Sequence, residues 1–210
     1  MPLKTIQVEQ ETKPTLKGFT ATMDPSDHYG PKGAKVGKLW DAMGLIPYRN
    51  PVDPVMEIVT SHEKDALFDH ITEYSAEDIG DRACFLGHEC DVLGQEVFET
   101  VQIAVLGTSE RHYTHTIHWI DHETYGRSVA IRSLSPHPVE FSSNLARVNQ
   151  QYGLVYIIPD GDGARRVEAF WADAEVIGID VPDRFAVDTA VNRMSDTAED
   201  IDDLIDGVTE

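Results

Sequence analysis

The chain is poor in several things, and each shortage excludes a class of protein. Cysteine occurs only twice in 210 residues, at Cys84 and Cys90, with five residues between them. Two thiols cannot build a disulfide framework, and the expected state is a pair of free thiols in a reducing compartment. Apolar runs such as IAVLG and LVYII fall far below the roughly 20 residues that a membrane span needs, so a soluble chain without membrane contacts is expected. The opening MPLKTIQVEQ has no apolar core and no small-residue cleavage site, so no secretory leader is expected. Lysine is scarce, at seven, against 21 aspartates and 16 glutamates, and the formal net charge is −20. Specific nucleic-acid binding is not expected of such a chain, because no basic patch is visible to offset the repulsion of phosphates. An Asp-rich, Lys-poor composition also resembles that of halophilic proteins, in which salt screens self-repulsion.

Catalytic signatures are lacking too. There is no G-x-S-x-G elbow, no H-E-x-x-H and no glycine-rich dinucleotide fingerprint. GPKGAKVGKL fails as a phosphate loop, since Lys32 stands where glycine is required and Leu39 where serine or threonine is. PDGDG opens like a calcium loop, but Ala164 replaces the third acid and Trp171 stands where the bidentate glutamate belongs. A hairpin turn is expected there instead, and no cofactor is expected.

What is present suits a globular body, with 41% hydrophobic residues to build a core. Val36, Leu39, Trp40 and Met43 have helical spacing, which predicts a helix near 33–45, ended by the prolines of IPYRNPVDP. Thr60 and Glu63 fit a capping box, which predicts a second helix near 62–73. From about residue 83 the pattern is mostly β. Val97, Val101, Ile103 and Val105 share one face at period two, and two hairpins are expected around DHETYG and PDGDGA. WADAEVIGID and RFAVDTAV read as further strands. The predicted class is α+β, mainly β: an antiparallel β-sandwich or barrel with two short helices. It forms one domain over 1–195, followed by an acidic amphipathic helix or tail over 196–210. In that tail Ile201, Leu204 and Ile205 are candidates to dock on a neighbour. Lys32, Lys35 and Lys38 form a basic cluster that fits an acidic neighbour, such as the tail of another copy.

HYTHTIHWIDH, residues 112–122, holds four of the nine histidines. Its β-branched and aromatic residues favour a strand, in which His112 and His118 share a face while His115 points the other way with Tyr113, Ile117 and Trp119. The stretch has no H-x-H, so no metal is expected, and Asp121, His122 and His118 are the weak candidates left. His88 and Cys90 could likewise offer two ligands, but nothing nearby completes a set, and core cysteines are the expected reading.

The run GLVYIIPDGDGARRVEAFWADAEVIGIDVPDRFAVDTAV, residues 153–191, reads as strand, turn, long strand, loop and strand. In that pattern it resembles the closing β-elements of tail-tube and related virion proteins of tailed viruses. The resemblance implies a non-enzymatic, self-assembling subunit of a virion from a halophile's virus, present in the host cytoplasm during assembly. Its partners would be copies of itself and other structural subunits, and its acidic lumen would pass DNA without binding it. Two alternatives are a small metal-dependent β-barrel enzyme using His118, His122 and Asp121, and an acidic protein-interaction module.

Overall fold

Turn chemistry sets up the sheet. Asp160 pairs with Gly163 across a two-residue turn whose Gly161 has φ 66°, and Gly126, at φ 76°, closes the turn after His122. Both are positive-φ positions where glycine has no steric cost. The computed structural model describes residues 38–103, 107–135, 137–176 and 183–207. In chain order the elements are β1 (Lys38–Tyr48), α1 (Val52–Val59), α2 (Lys64–Leu67), β2 (Ile71–Ile79), α3 (Arg82–Leu86) and β3 (Val92–Ile103). There follow β4 (Gly107–His122), β5 (Gly126–Ser135), β6 (Val139–Glu140), β7 (Ala146–Asp160), β8 (Gly163–Val176) and α4 (Asp183–Asp206).

The eight strands form one antiparallel sheet in the order β1-β8-β7-β5-β4-β3-β2, with β6 beside β7. The class is α+β, mainly β, with few short helices and a long C-terminal one. Val191, Met194, Ala198 and Ile201 recur at helical spacing along α4 and are buried in the same core as Ile46, Ile117, Val129 and Ile157 of the sheet. α4 therefore packs on the sheet, and a second sheet layer is not needed. β2 ends the sheet and, among the described residues, has no partner on its outer side.

The helix predicted near 33–45 is corrected: residues 38–48 are β1, paired along its length with β8 from Lys38↔Ala174 to Tyr48↔Ala164, and 33–37 lie outside the described residues. Burial alternates there, with Gly44, Ile46 and Tyr48 buried and Leu45, Pro47 and Arg49 exposed. A Cβ on Gly163 would lie 2.4 Å from the Tyr48 carbonyl oxygen, so only glycine lets β8 start beside the end of β1.

The helix predicted near 62–73 shrinks to the single turn of α2. Thr60 does not cap it; its hydroxyl donates 2.7 Å back to the Met56 carbonyl and terminates α1. RFAVDTAV also departs from expectation, because residues 184–191 belong to α4, which starts directly after Pro182, a residue favoured at helix starts. The tail predicted over 196–210 is, as far as residue 206, the second half of that same helix.

The free-thiol expectation is corrected as well. Past α3 the amides of Glu89 and Cys90 both donate to the Cys84 carbonyl, and His88 takes a left-handed φ of 61°. The chain doubles back, bringing the Cα atoms of Cys84 and Cys90 to 5.3 Å, and the two are disulfide-bonded. The enclosed Phe85 is fully buried, stacks on Trp119 at 5.4 Å and accepts 2.9 Å from its indole N–H through the carbonyl. Such an aromatic pair adds about 0.5–1.5 kcal/mol beyond burial.

Candidate ligand-binding cavity

Strand period and register assemble the polar groups of the interior. On β3, Val97, Glu99 and Val101 are buried together, so a carboxylate shares the inward face with two valines. The β3–β4 register sets Glu99 opposite Arg111, whose Nη1 lies 3.6 Å from Glu99 Oε1. Tyr113, the next inward residue on β4, donates its hydroxyl to Glu99 Oε2 at 2.8 Å. The β4–β5 register sets His115 opposite Ser133, and Nδ1 and Oγ share a hydrogen bond of 2.8 Å. On β8, Arg166 and Glu168 are same-face neighbours joined at 2.5 Å, and Arg166 Nη1 donates 3.2 Å to the Tyr48 hydroxyl.

Of these groups Tyr48, Glu99, His115, Ser133, Arg166 and Glu168 line a cavity of about 290 Å³, and Arg111 and Tyr113 back Glu99. Every strand on the sheet's path contributes to its lining or borders it, as do α1, Lys64 of α2, and Thr197 and Ile201 of α4. Its apolar walls include Ile58, Phe68, Ile131, Val155, Ile157 and Phe170. Lys64 and His115 retain some accessible surface, but both line the cavity and their polar ends are enclosed by protein.

Enclosure shows in the acid–base properties. Burial pushes the Lys64 ammonium down to about 8; the charge of Glu99 resists this and that of Arg166 adds to it. Burial, with the Lys64 charge behind it, pushes His115 down to about 3, so its imidazole is neutral at pH 7. Burial and then Glu99 raise the Tyr113 hydroxyl well above the ordinary range, which keeps it a proton donor. Burial disfavours the Arg166 cation, but Glu168 and Tyr48 outweigh it and raise its affinity for the proton.

The sequence candidates lie elsewhere. His118 is exposed on β4, Asp121 Oδ1 faces Arg127 Nη1 at 3.3 Å, and His122 Nδ1 accepts from the amides of Thr124 and Tyr125 inside the turn. These roles hold the hairpin, and among the described residues no three metal-ligating side chains converge. His88 lies against Trp119 at 4.4 Å, accepts from Arg127 Nε and faces Asp53. Ile201 lines the cavity, while Leu204 and Ile205 pack partly buried against this chain's own core. Lys32 and Lys35 lie outside the described residues, and Lys38 begins β1.

Lys64, Glu99, Arg166 and Glu168 were not singled out from sequence. Glu99 had a legible signal, a carboxylate between Val97 and Val101 on the apolar face of a predicted strand. Arg166 and Glu168 share the face of Ala164 and Phe170 in the same way. Lys64 had none, being a lysine on what read as a surface helix.

No family model and no curated protein matches the chain. Solved structures similar to it include human STARD10, at 10% identity over 96% of this chain and 82% of that one, with a TM-score of 0.45. A START superfamily protein from Mycobacterium smegmatis is 10% identical over 82% of this chain and 100% of that one, with a TM-score of 0.46. Human StAR-related lipid transfer protein 5 is 9% identical over 96% of this chain and 100% of that one, with a TM-score of 0.45.

The tail-tube resemblance, and the virion structural role drawn from it, are corrected. None of the three similar structures named above is a tail protein. The run that carried the resemblance does not close a β-sandwich: after the β7–β8 hairpin its last residues enter α4. That helix then occupies the inner face of the sheet, where a DNA-conducting lumen was expected.

Proposed function

We propose that the chain is a binding protein that holds one small, largely apolar ligand inside the cavity, without a chemical step. The observation that carries this reading is the cavity itself, about 290 Å³, where apolar side chains such as Ile131, Val155, Ile157 and Phe170 stand beside charged and polar groups from the sheet and helices. Natural interiors hold few voids larger than a water molecule. Its apolar walls lack packing partners on the cavity side, and a ligand supplies them by filling it. The volume is at the lower end of the roughly 300–1,000 Å³ range of small-molecule sites.

Gly153 supports the reading from the floor of the cavity, on β7. A Cβ there would meet only Ser133, at 3.5 Å, so a larger side chain can enter without displacing backbone. Wild-type protein should therefore bind an uncharged apolar fluorophore with one-to-one stoichiometry. Gly153→Leu should fold with an unchanged circular dichroism spectrum and lose that binding. Equal binding by both proteins would place the fluorophore outside the cavity and sink the proposal.

A further inference from the structure

Lys64 and Arg166 line the cavity with Glu99 and Glu168, and Arg111, which backs Glu99 from outside the lining, brings that set to one surplus positive charge. Glu99 is met by Arg111 and by the Tyr113 hydroxyl, and Glu168 is met by Arg166. Each interior carboxylate thus already has its guanidinium. Lys64 is left over: among the described residues no carboxylate oxygen lies within ion-pair distance of its Nζ, which sits over the Tyr74 ring at 5.3 Å. A ring face is a weak substitute for a counter-ion. The Tyr74 hydroxyl is itself buried without a hydrogen-bond partner, so the ring under the ammonium is no better satisfied. An unpaired cation in an apolar enclosure is costly unless something supplies the opposite charge.

We infer that the cavity accepts an amphipathic monoanion, a carboxylate on an apolar body, with its carboxylate on Lys64 Nζ and its body against Ile131, Val155 and Phe170. This rests on the binding function proposed above and assigns it a ligand class. One anion matches the one surplus positive charge. A cationic ligand would meet Lys64 and Arg166 with nothing left to receive it. A neutral alcohol would fill the same walls but leave the ammonium as it is. The lowered proton affinity of Lys64 fits the same account, since an adjacent anion would restore it.

Decanoate, decanol and decylamine differ only in headgroup and separate these cases. Calorimetric titration of the full chain at neutral pH should give decanoate the tightest binding, at least about tenfold over decanol, as for a desolvated charge-assisted pair. Decylamine should bind weakest. The decanoate-to-decanol ratio should collapse to about one in Lys64→Met and survive in Lys64→Arg, which keeps the charge. A wild-type ratio near one, or a ratio that persists in Lys64→Met, overturns the Lys64 assignment while leaving the cavity a binding site. Failure of all three to bind overturns the binding function as well.

Discussion

Two charged clusters tie distant parts of this chain together, one in water and one away from it. In the outer cluster Arg49 and Asn50, just after β1, meet Asp202, Asp203 and Asp206 near the end of α4. In the inner one Glu99, Arg166 and Glu168 line the cavity with Lys64 and His115, and Arg111 and Tyr113 hold Glu99 from behind. Each cluster holds two ion pairs, but those of the outer one are half-exposed and screened, so they contribute little. The inner groups have lost their water, and each depends on its partner. Counting ion pairs would rank the two clusters as equals.

Asp202 shows that burial decides this. It belongs to the outer cluster but is only 3% exposed, and it accepts from the backbone amides of Arg49 at 2.7 Å and Asn50 at 3.2 Å. It holds the C-terminal end of α4 to the chain leaving β1, and so steadies the helix that supplies Thr197 and Ile201 to the cavity wall.

The comparison is broken most directly by removing one inner partner. Arg166→Met strands the Glu168 carboxylate, 12% exposed, and should lower unfolding stability in urea by about 3–5 kcal/mol. A smaller unfolding change would show that Glu168 finds water, and that the clusters differ less than argued.

The next test titrates His115. Its folded pKa of about 3 lies below the unfolded value near 6.5, so the unfolded chain binds the extra proton first. Stability is full above about pH 6.5 and falls as pH drops toward about 3, losing on the order of 2 kcal/mol by about pH 5. His115→Gln should flatten that part of the stability–pH curve.

Outer substitutions should matter less. Asp202→Ala strands two amides and should cost about 2 kcal/mol, whereas Arg49→Ala, on the fully solvated side of the same cluster, should leave the melting temperature almost unchanged. Equal losses would mean that the surface ion pairs, and not the buried aspartate, hold the helix end.

The sequence disclosed local structure better than distant partners. Asp-Gly turns and alternating strands were legible because turn chemistry and period two are written in neighbouring residues. The histidine stretch read correctly as a strand, with His115 on the face opposite His118. β1 misled because Leu39, Trp40 and Met43 fit a helix locally, while its pairing partner, β8, lies more than a hundred positions away. RFAVDTAV misled in the opposite sense: its β-branched and aromatic residues favour a strand, but the apolar spacing continued through Val191, Met194, Ala198 and Ile201 decided for a helix. The cavity was invisible for a further reason. A void has no residue of its own and exists only once the whole sheet has curved around α4.

Among the described residues the outer edge of β2 is open, and this gives the acidity of the chain a further meaning. An unpaired strand is a template on which another copy's strand can grow, and flat apolar edges start fibres. ITEYSAEDI instead places Glu73 and Glu77 along that rim. A second β2 approaching to extend the ladder would bring carboxylates against carboxylates. Such repulsion between like-charged rims depends on ionic strength and fades as salt shortens its reach.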